Sequence, residues 1–296
     1  MVRSGDLVVL LSELEDEDKY HVGDHAANLG KITNAKFSVL PGFVITSNAY
    51  FNFLKHNKLD TKISHLIAAM NSDNESSVHQ ISSYIKKHIT TSEIPADIVS
   101  QVVDNYLKVG GAGVTIQASV ISGDNMQVNV PKILASTITG EAVLLDKMRS
   151  YWASLFHPAF MLHRNTNNIE HLKTGIALTV QKAIIPSVLG KVFTINPLTR
   201  DKSFAVIEIA SNWYIVDKNT SEVTKKHKPN NLTVFVRDGK ELDREDALPD
   251  HEVIALKNLV QGLEKHYFLG QEIAFAKEGD RFFILGLKPL PSYVQN

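Results

Sequence analysis

The chain of 296 residues contains no cysteine. That excludes disulfides, thiolate metal ligands and a cysteine nucleophile. It has no surplus of either charge. Lys and Arg total 31 and Asp and Glu 32, giving a formal net charge of −1 at pH 7, so the balance draws the chain neither to nucleic acid nor to an anionic membrane. Long apolar runs are absent as well. The stretch Leu7–Leu11 is too short to span a bilayer, and Met1–Glu13 holds no signal-peptide cleavage pattern. There is no internal repeat, low-complexity tract, P-loop, dinucleotide fingerprint or serine-hydrolase elbow. Together these absences predict a soluble, cytoplasmic protein.

What remains is ordinary globular material, 44% hydrophobic and 21% charged, long enough for one large domain or two lobes. The first half reads as helical. Asp24 to about Ala35 is expected to be a helix capped by Gly23-Asp24, and Ser47 a cap for a helix carrying Tyr50, Phe51 and Leu54. Three amphipathic helices follow. The first buries Ile63, Leu66, Ile67 and Met70, the second Val78, Ile81, Ile85 and Ile89, and the third, opened by Pro95, Ile98, Val102 and Tyr106. Gly140–Leu155 is a further helix and Asp250–His266 the last.

Strands are expected at Leu7–Leu11, Phe43–Thr46, Val114–Ser119, Ile176–Ala183, Leu189–Ile195, Phe204–Ile209, Trp213–Val216, Leu232–Val236, Glu272–Lys277 and Arg281–Leu287. Glu13–Lys19 reads as an acidic surface turn and Thr224–Asn231, lysine-rich and broken by Pro229, as a mobile loop. A helix-rich first half and a strand-rich second half predict an α+β fold with two lobes.

The segment Gly23-Asp24-His25-Ala26-Ala27-Asn28-Leu29-Gly30, followed by Pro41-Gly42-Phe43-Val44-Ile45-Thr46, resembles the opening of the nucleotide-binding domain of phosphoenolpyruvate synthase and pyruvate phosphate dikinase. Four further stretches resemble the same family in the right order. They are Trp152–Phe156, the run from Val180 through Ser187 to Thr199, the strands around Val206-Ile207-Glu208 and Tyr214–Lys218, and Gln271 to Pro289. The resemblance covers almost the whole chain. It implies an ATP-grasp-like fold, an N-terminal lobe over residues 1–178, a C-terminal lobe over 179–291 and a tail over 292–296, with ATP and magnesium as the ligands of such a domain.

The same resemblance implies where the site residues lie. His25 stands where the family has a phosphate-binding lysine, and neutral Gln117 where it has an arginine. Gln181, Glu208, Glu272 and Lys288 occupy other cofactor-binding positions, Lys288 in place of an arginine. The magnesium-binding glutamate aligns with Ala274, and Gly286 replaces a glutamine. The lid that covers the phosphates falls on Val128–Leu134, without glycine and with Pro131, which has no N–H. The glycine-rich G-L-G-E segment expected between Ser211 and Trp213 is missing. Phosphoryl transfer needs cations and a metal on the phosphates. A charge-assisted hydrogen bond is worth about 1.5–3 kcal/mol, so losing two or three weakens binding by roughly 10²- to 10⁵-fold.

Other clusters carry less. His21 and His25 need not share a helix face and read as surface histidines, and His157 and His163 have no third ligand. Asp16-Glu17-Asp18 lacks the glycine of a calcium loop. Trp213 and Tyr214 read as core, and Glu208 fits a ribose contact or a buried strand-end carboxylate equally well.

These residues predict a degenerate, non-catalytic ATP-grasp domain that acts by binding a protein partner or complex, with no nucleic acid and no membrane. The alternative is an ATP-binding subunit of a split dikinase or phosphotransferase that needs a separate phosphohistidine domain.

Overall fold

The computed structural model describes residues 2–3, 5–111, 113–122, 137–210, 212–227, 236–237, 240–241, 248–267 and 269–290. The lid stretch Val128–Leu134 lies outside them, as do residues 228–231 of the lysine-rich loop and 232–235 of the expected strand.

The chain forms two compact units. One comprises residues 1–30 and 41–183, the other residues 31–40 and 184–296. The sequence-based lobes part at 178/179.

In the first unit an antiparallel sheet has the order β1 (Val8–Leu10), β2 (Gly42–Ile45), β4 (Gly175–Lys182), β3 (Val114–Ile121). One sheet face is apolar. Phe43, Ile45, Val114, Ile116, Ile176, Leu178 and Val180 point to one side, as period-two alternation requires, and join the core. That core is closed by the helices α2 (Ser47–His56), α3 (Leu59–Ala68), α4 (Glu75–Thr91), α5 (Ala96–Lys108), α6 (Glu141–Ser154) and α7 (Pro158–Thr166).

The apolar stripes predicted for α3, α4 and α5 are the buried or partly buried ones. The cap of α2 is Thr46 rather than Ser47, since the Ala49 N–H donates to Thr46 Oγ1. Helix α7 was not anticipated; its signal is Pro158 at the first turn after His157. The acidic turn is two 3₁₀ turns, Leu11–Glu13 and Asp16–Asp18. Asp18 is buried there because it accepts from the Val2 and Glu15 N–H groups.

Helix α1 (Lys19–Asn34) breaks its helical geometry at Gly23, with φ 81° and ψ 159°. The helix proper therefore begins after Gly23, as the capping reading expects. A side chain at Gly23 would meet Ser119 of β3, with its Cβ 2.4 Å from the serine Cβ.

The second unit is built on an antiparallel six-stranded sheet of order β12 (Arg281–Pro289), β11 (Gln271–Glu278), β5 (Val188–Phe193), β6 (Phe204–Ile209), β7 (Asn212–Asp217), β8 (Val223–His227). A short pair, β9 (Val236–Arg237) and β10 (Lys240–Glu241), stands apart from it. Residues 224–227, expected in a loop, thus belong to the edge strand β8, which is paired to β7. Lysines 225 and 226 suit an edge that must resist further pairing. One face packs on α8 (Asp250–Glu264), whose Val253, Leu256, Val260 and Leu263 meet Val192, Ile207, Tyr214, Ile273 and Phe275. No helix among the described residues is long and apolar enough to cross a membrane.

Candidate functional site

The second unit's sheet sets its charged residues by register. Glu208 of β6 lies opposite Lys191 of β5, Lys191 opposite Ala274 of β11, and Ala274 opposite Gly286 of β12. Two residues along, Val206, Phe193, Glu272 and Lys288 form the next row. Directly opposed residues in an antiparallel sheet share a face, so all eight lie on the side away from α8.

On that face Glu272 is held twice. Lys191 Nζ lies 3.0 Å from Glu272 Oε1, and Lys288 Nζ 3.3 Å from Glu272 Oε2. Lys191 and Glu272 are largely covered, whereas Lys288 is mostly exposed. Glu208 is buried at the foot of the first row, and Trp213 Nε1 donates to its Oε2 at 3.1 Å. Phe193, Val206, Trp213 and Leu290 form a small apolar cluster beside the charges. Trp213 is therefore core, as expected, and also fixes a carboxylate.

Sequence reasoning passed over Lys191 as a cation that nothing placed. The signal was available: alternation along β5 puts it on the face of Gly190's opposite side, together with Phe193. Gly190 itself admits no side chain. A Cβ there would lie 2.5 Å from the Glu208 carbonyl and 2.7 Å from the Phe275 ring. Strands β6 and β7 are joined by a tight hairpin, with Ile209 opposite Asn212, which leaves no length for the glycine-rich loop.

In the first unit, the sheet face away from the core is polar. Gln117 of β3 lies opposite Thr179 of β4, and Thr115 opposite Gln181, which in turn faces Gly42 of β2. Gln181 and Thr179 are buried, while Gln117 is exposed. The Gln181 side chain lies over Gly42, where a Cβ would come 2.8 Å from its Cγ. His25, half-buried, sits in the first turn of α1 past Gly23, the residue that packs on Ser119 of the same face. His21 precedes the break at Gly23. Among the described residues no group of three or more His, Asp or Glu is clustered as a metal site.

The geometry can be set beside known proteins. Residues 19–295 match the family model "Pyruvate phosphate dikinase, AMP/ATP-binding domain". The chain belongs to this family. With that membership comes the α+β, ATP-grasp-like class expected from the sequence, and the helix-rich first half and strand-rich second half agree with it.

Relatives within the family include a probable phosphoenolpyruvate synthase of Methanocaldococcus jannaschii, 26% identical over 96% of this chain and 26% of that protein. A probable phosphoenolpyruvate synthase of Methanothermobacter thermautotrophicus is 27% identical over 96% of this chain and 46% of its own length. The chain thus spans between a quarter and a half of these relatives. Among solved structures, D-alanine–D-alanine ligase from Helicobacter pylori is similar at 16% identity and a TM-score of 0.25, over 67% of this chain and 56% of that one.

Proposed function

We propose that this member of the dikinase AMP/ATP-binding family is a non-catalytic binding domain, a pseudoenzyme whose present role is to engage a protein partner or complex. One observation carries the reading: Glu272 is clasped by Lys191 and Lys288 while the adjoining positions are Ala274 and Gly286. Lysines that face a carboxylate offer less to a phosphate, since their charge is already offset. Alanine and glycine supply no carboxylate to magnesium and no hydrogen bond from a side chain. On the first unit, neutral Gln117 and half-buried His25 stand where the resemblance expects fixed cations. ATP and magnesium are the group the family implies. Glu208, Glu272, Lys191 and Lys288 are the residues here that would meet them, and as a donor set for Mg·ATP they fit poorly.

A second reading, an ATP-binding subunit that serves a separate phosphohistidine domain, draws on the same face. Glu208 and the two lysines still share one side of the sheet. Calorimetry on the full chain with ATP, ADP and AMP, with and without magnesium, separates the two. The non-catalytic reading expects no magnesium-dependent tightening. A ligand at 100 times its dissociation constant stabilises by about 2.7 kcal/mol, so a thermal scan at millimolar nucleotide gives an independent readout. Magnesium-dependent binding abolished in Lys288→Ala would overturn the first reading in favour of the second. For the partner, co-purification from the native cell followed by mass spectrometry is the direct measurement.

A further inference from the structure

The outward face of α2 lines an open cavity of about 310 Å³ in the first unit. Asn48, Phe51, Asn52 and Lys55 follow the i, i+3, i+4, i+7 spacing, which puts them on one helical stripe. On the other side of the helix Ala49, Tyr50, Phe53 and Leu54 are buried in the core. Leu7, ahead of β1, and Asp97, in the first turn of α5, also line the cavity.

Two of these side chains are held in place by the protein itself. The Phe51 ring leans on Gly175 at the start of β4, where a Cβ would come 2.9 Å from its Cε2, and its centroid lies 5.3 Å from that of Tyr50. Asn48 Nδ2 donates to the Arg3 carbonyl at 3.0 Å and to the Asp6 carbonyl at 3.4 Å. Two acceptors on one side assign the nitrogen to them and leave Oδ1 as the atom Asn48 can offer a ligand. Asp97 is oriented too, since its Oδ1 accepts from the Ile98 N–H at 2.9 Å.

Lys55 and Asp97 bring opposite charges to the same cavity, yet among the described residues neither makes an ion pair. A bound anion would meet the Asp97 carboxylate and a bound cation the Lys55 ammonium, each a repulsion, and an apolar molecule would strip water from both charges. A small zwitterion meets both favourably. The volume is at the lower end for ligand cavities, the size of one amino acid rather than of a nucleotide. Asn48 and Asn52 stand one turn, about 5.4 Å, apart along α2, a span that the two charged ends of an amino acid bridge with a hydrogen bond at each.

We propose that this cavity binds a free α-amino acid with an apolar side chain. Its carboxylate accepts from Lys55 and the Asn52 amide, its ammonium donates to Asp97 and Asn48 Oδ1, and its side chain lies on Phe51 and Leu7. The site is separate from the sheet faces described above and does not depend on nucleotide binding.

Calorimetry of the full chain with L-leucine and L-phenylalanine tests this. Isocaproate, which is leucine without its amine, and isoamylamine, which is leucine without its carboxylate, are the comparisons. A charge-assisted contact is worth about tenfold or more in affinity, so each analogue should bind at least about tenfold more weakly than leucine. Lys55→Met should weaken leucine by a similar factor and leave isoamylamine unchanged, and Asp97→Asn should weaken leucine and leave isocaproate unchanged. The analogue series is measured on the native chain, so it decides the matter even where a variant fails to fold. No heat and no melting shift with either amino acid at millimolar concentration would overturn the proposal, as would analogues that match leucine, or leucine binding unchanged in either variant.

Discussion

Lys191 and Glu272 join neighbouring strands of the second unit's sheet through a contact of 3.0 Å, and Lys288 approaches the same carboxylate from the other side. Ion pairs near a surface contribute about 0–1 kcal/mol. Glu272→Gln should therefore change stability by less than about 1 kcal/mol in urea unfolding. The same variant releases two cations on one sheet face, so its affinity for ATP without magnesium should exceed that of the native chain. Equal or weaker binding by calorimetry would show that the glutamate does not mask the lysines.

Gly23 combines a left-handed φ of 81° with a Cβ position 2.4 Å from Ser119 Cβ. Gly23→Ala meets both obstacles and should lose about 1–3 kcal/mol. The two terms are separable. Adding Ser119→Gly removes the clash but not the backbone strain, so the double variant should recover part of the loss. A double mutant no more stable than Gly23→Ala would rule out the contact as a cause.

Ser82 of α4 is buried and donates to the Phe156 carbonyl at 2.6 Å. Ser82→Ala leaves that carbonyl without its donor, at a cost of about 1–3 kcal/mol. Ser83, exposed one position on, is the control: its replacement by alanine should leave the denaturation midpoint within error.

His171 supplies the pH dependence. Burial first, and the Arg164 charge second, push its pKa down from 6.5 to about 4. The unfolded chain therefore binds a proton between pH 6.5 and 4 that the folded chain refuses, so stability is full above pH 6.5 and falls as the pH drops toward 4. The loss is on the order of 3 kcal/mol across that window. Unfolding followed from pH 7 to 4.5 should show the slope in the native chain and a shallower one in His171→Gln. Parallel slopes would assign the acid sensitivity to other groups.

Much of the fold was legible because its signals are local. Period-3.6 stripes such as Ile98, Val102 and Tyr106 mark a helix face, and alternation through Val114–Ser119 marks a strand, without reference to anything distant. Helix α7 escaped because its nine residues show little periodicity and only Pro158 announces it. The strand at 223–227 escaped because its polar side chains read as loop, whereas pairing to β7 through the backbone makes it a strand.

The site was legible only in part. Glu208, Glu272 and Lys288 were found by resemblance, but Lys191 gains meaning only from the pairing of β5 with β11, which brings it to Glu272. Arg164 and His171 carried no sequence signal at all. A buried guanidinium and a solvated one are written with the same residue.

By itself, then, the sequence determined the family, the α+β class and the residue types available at each inherited position, because these depend on local pattern and on identity. It also determined that no thiol chemistry occurs and that alanine and glycine stand at positions 274 and 286. The tertiary structure decided which charges meet. Strand register set two lysines on one glutamate, and helix packing buried Arg164 away from any carboxylate among the described residues. Both follow from contacts between residues distant in the chain, and their energies depend on burial and distance, which residue order does not encode.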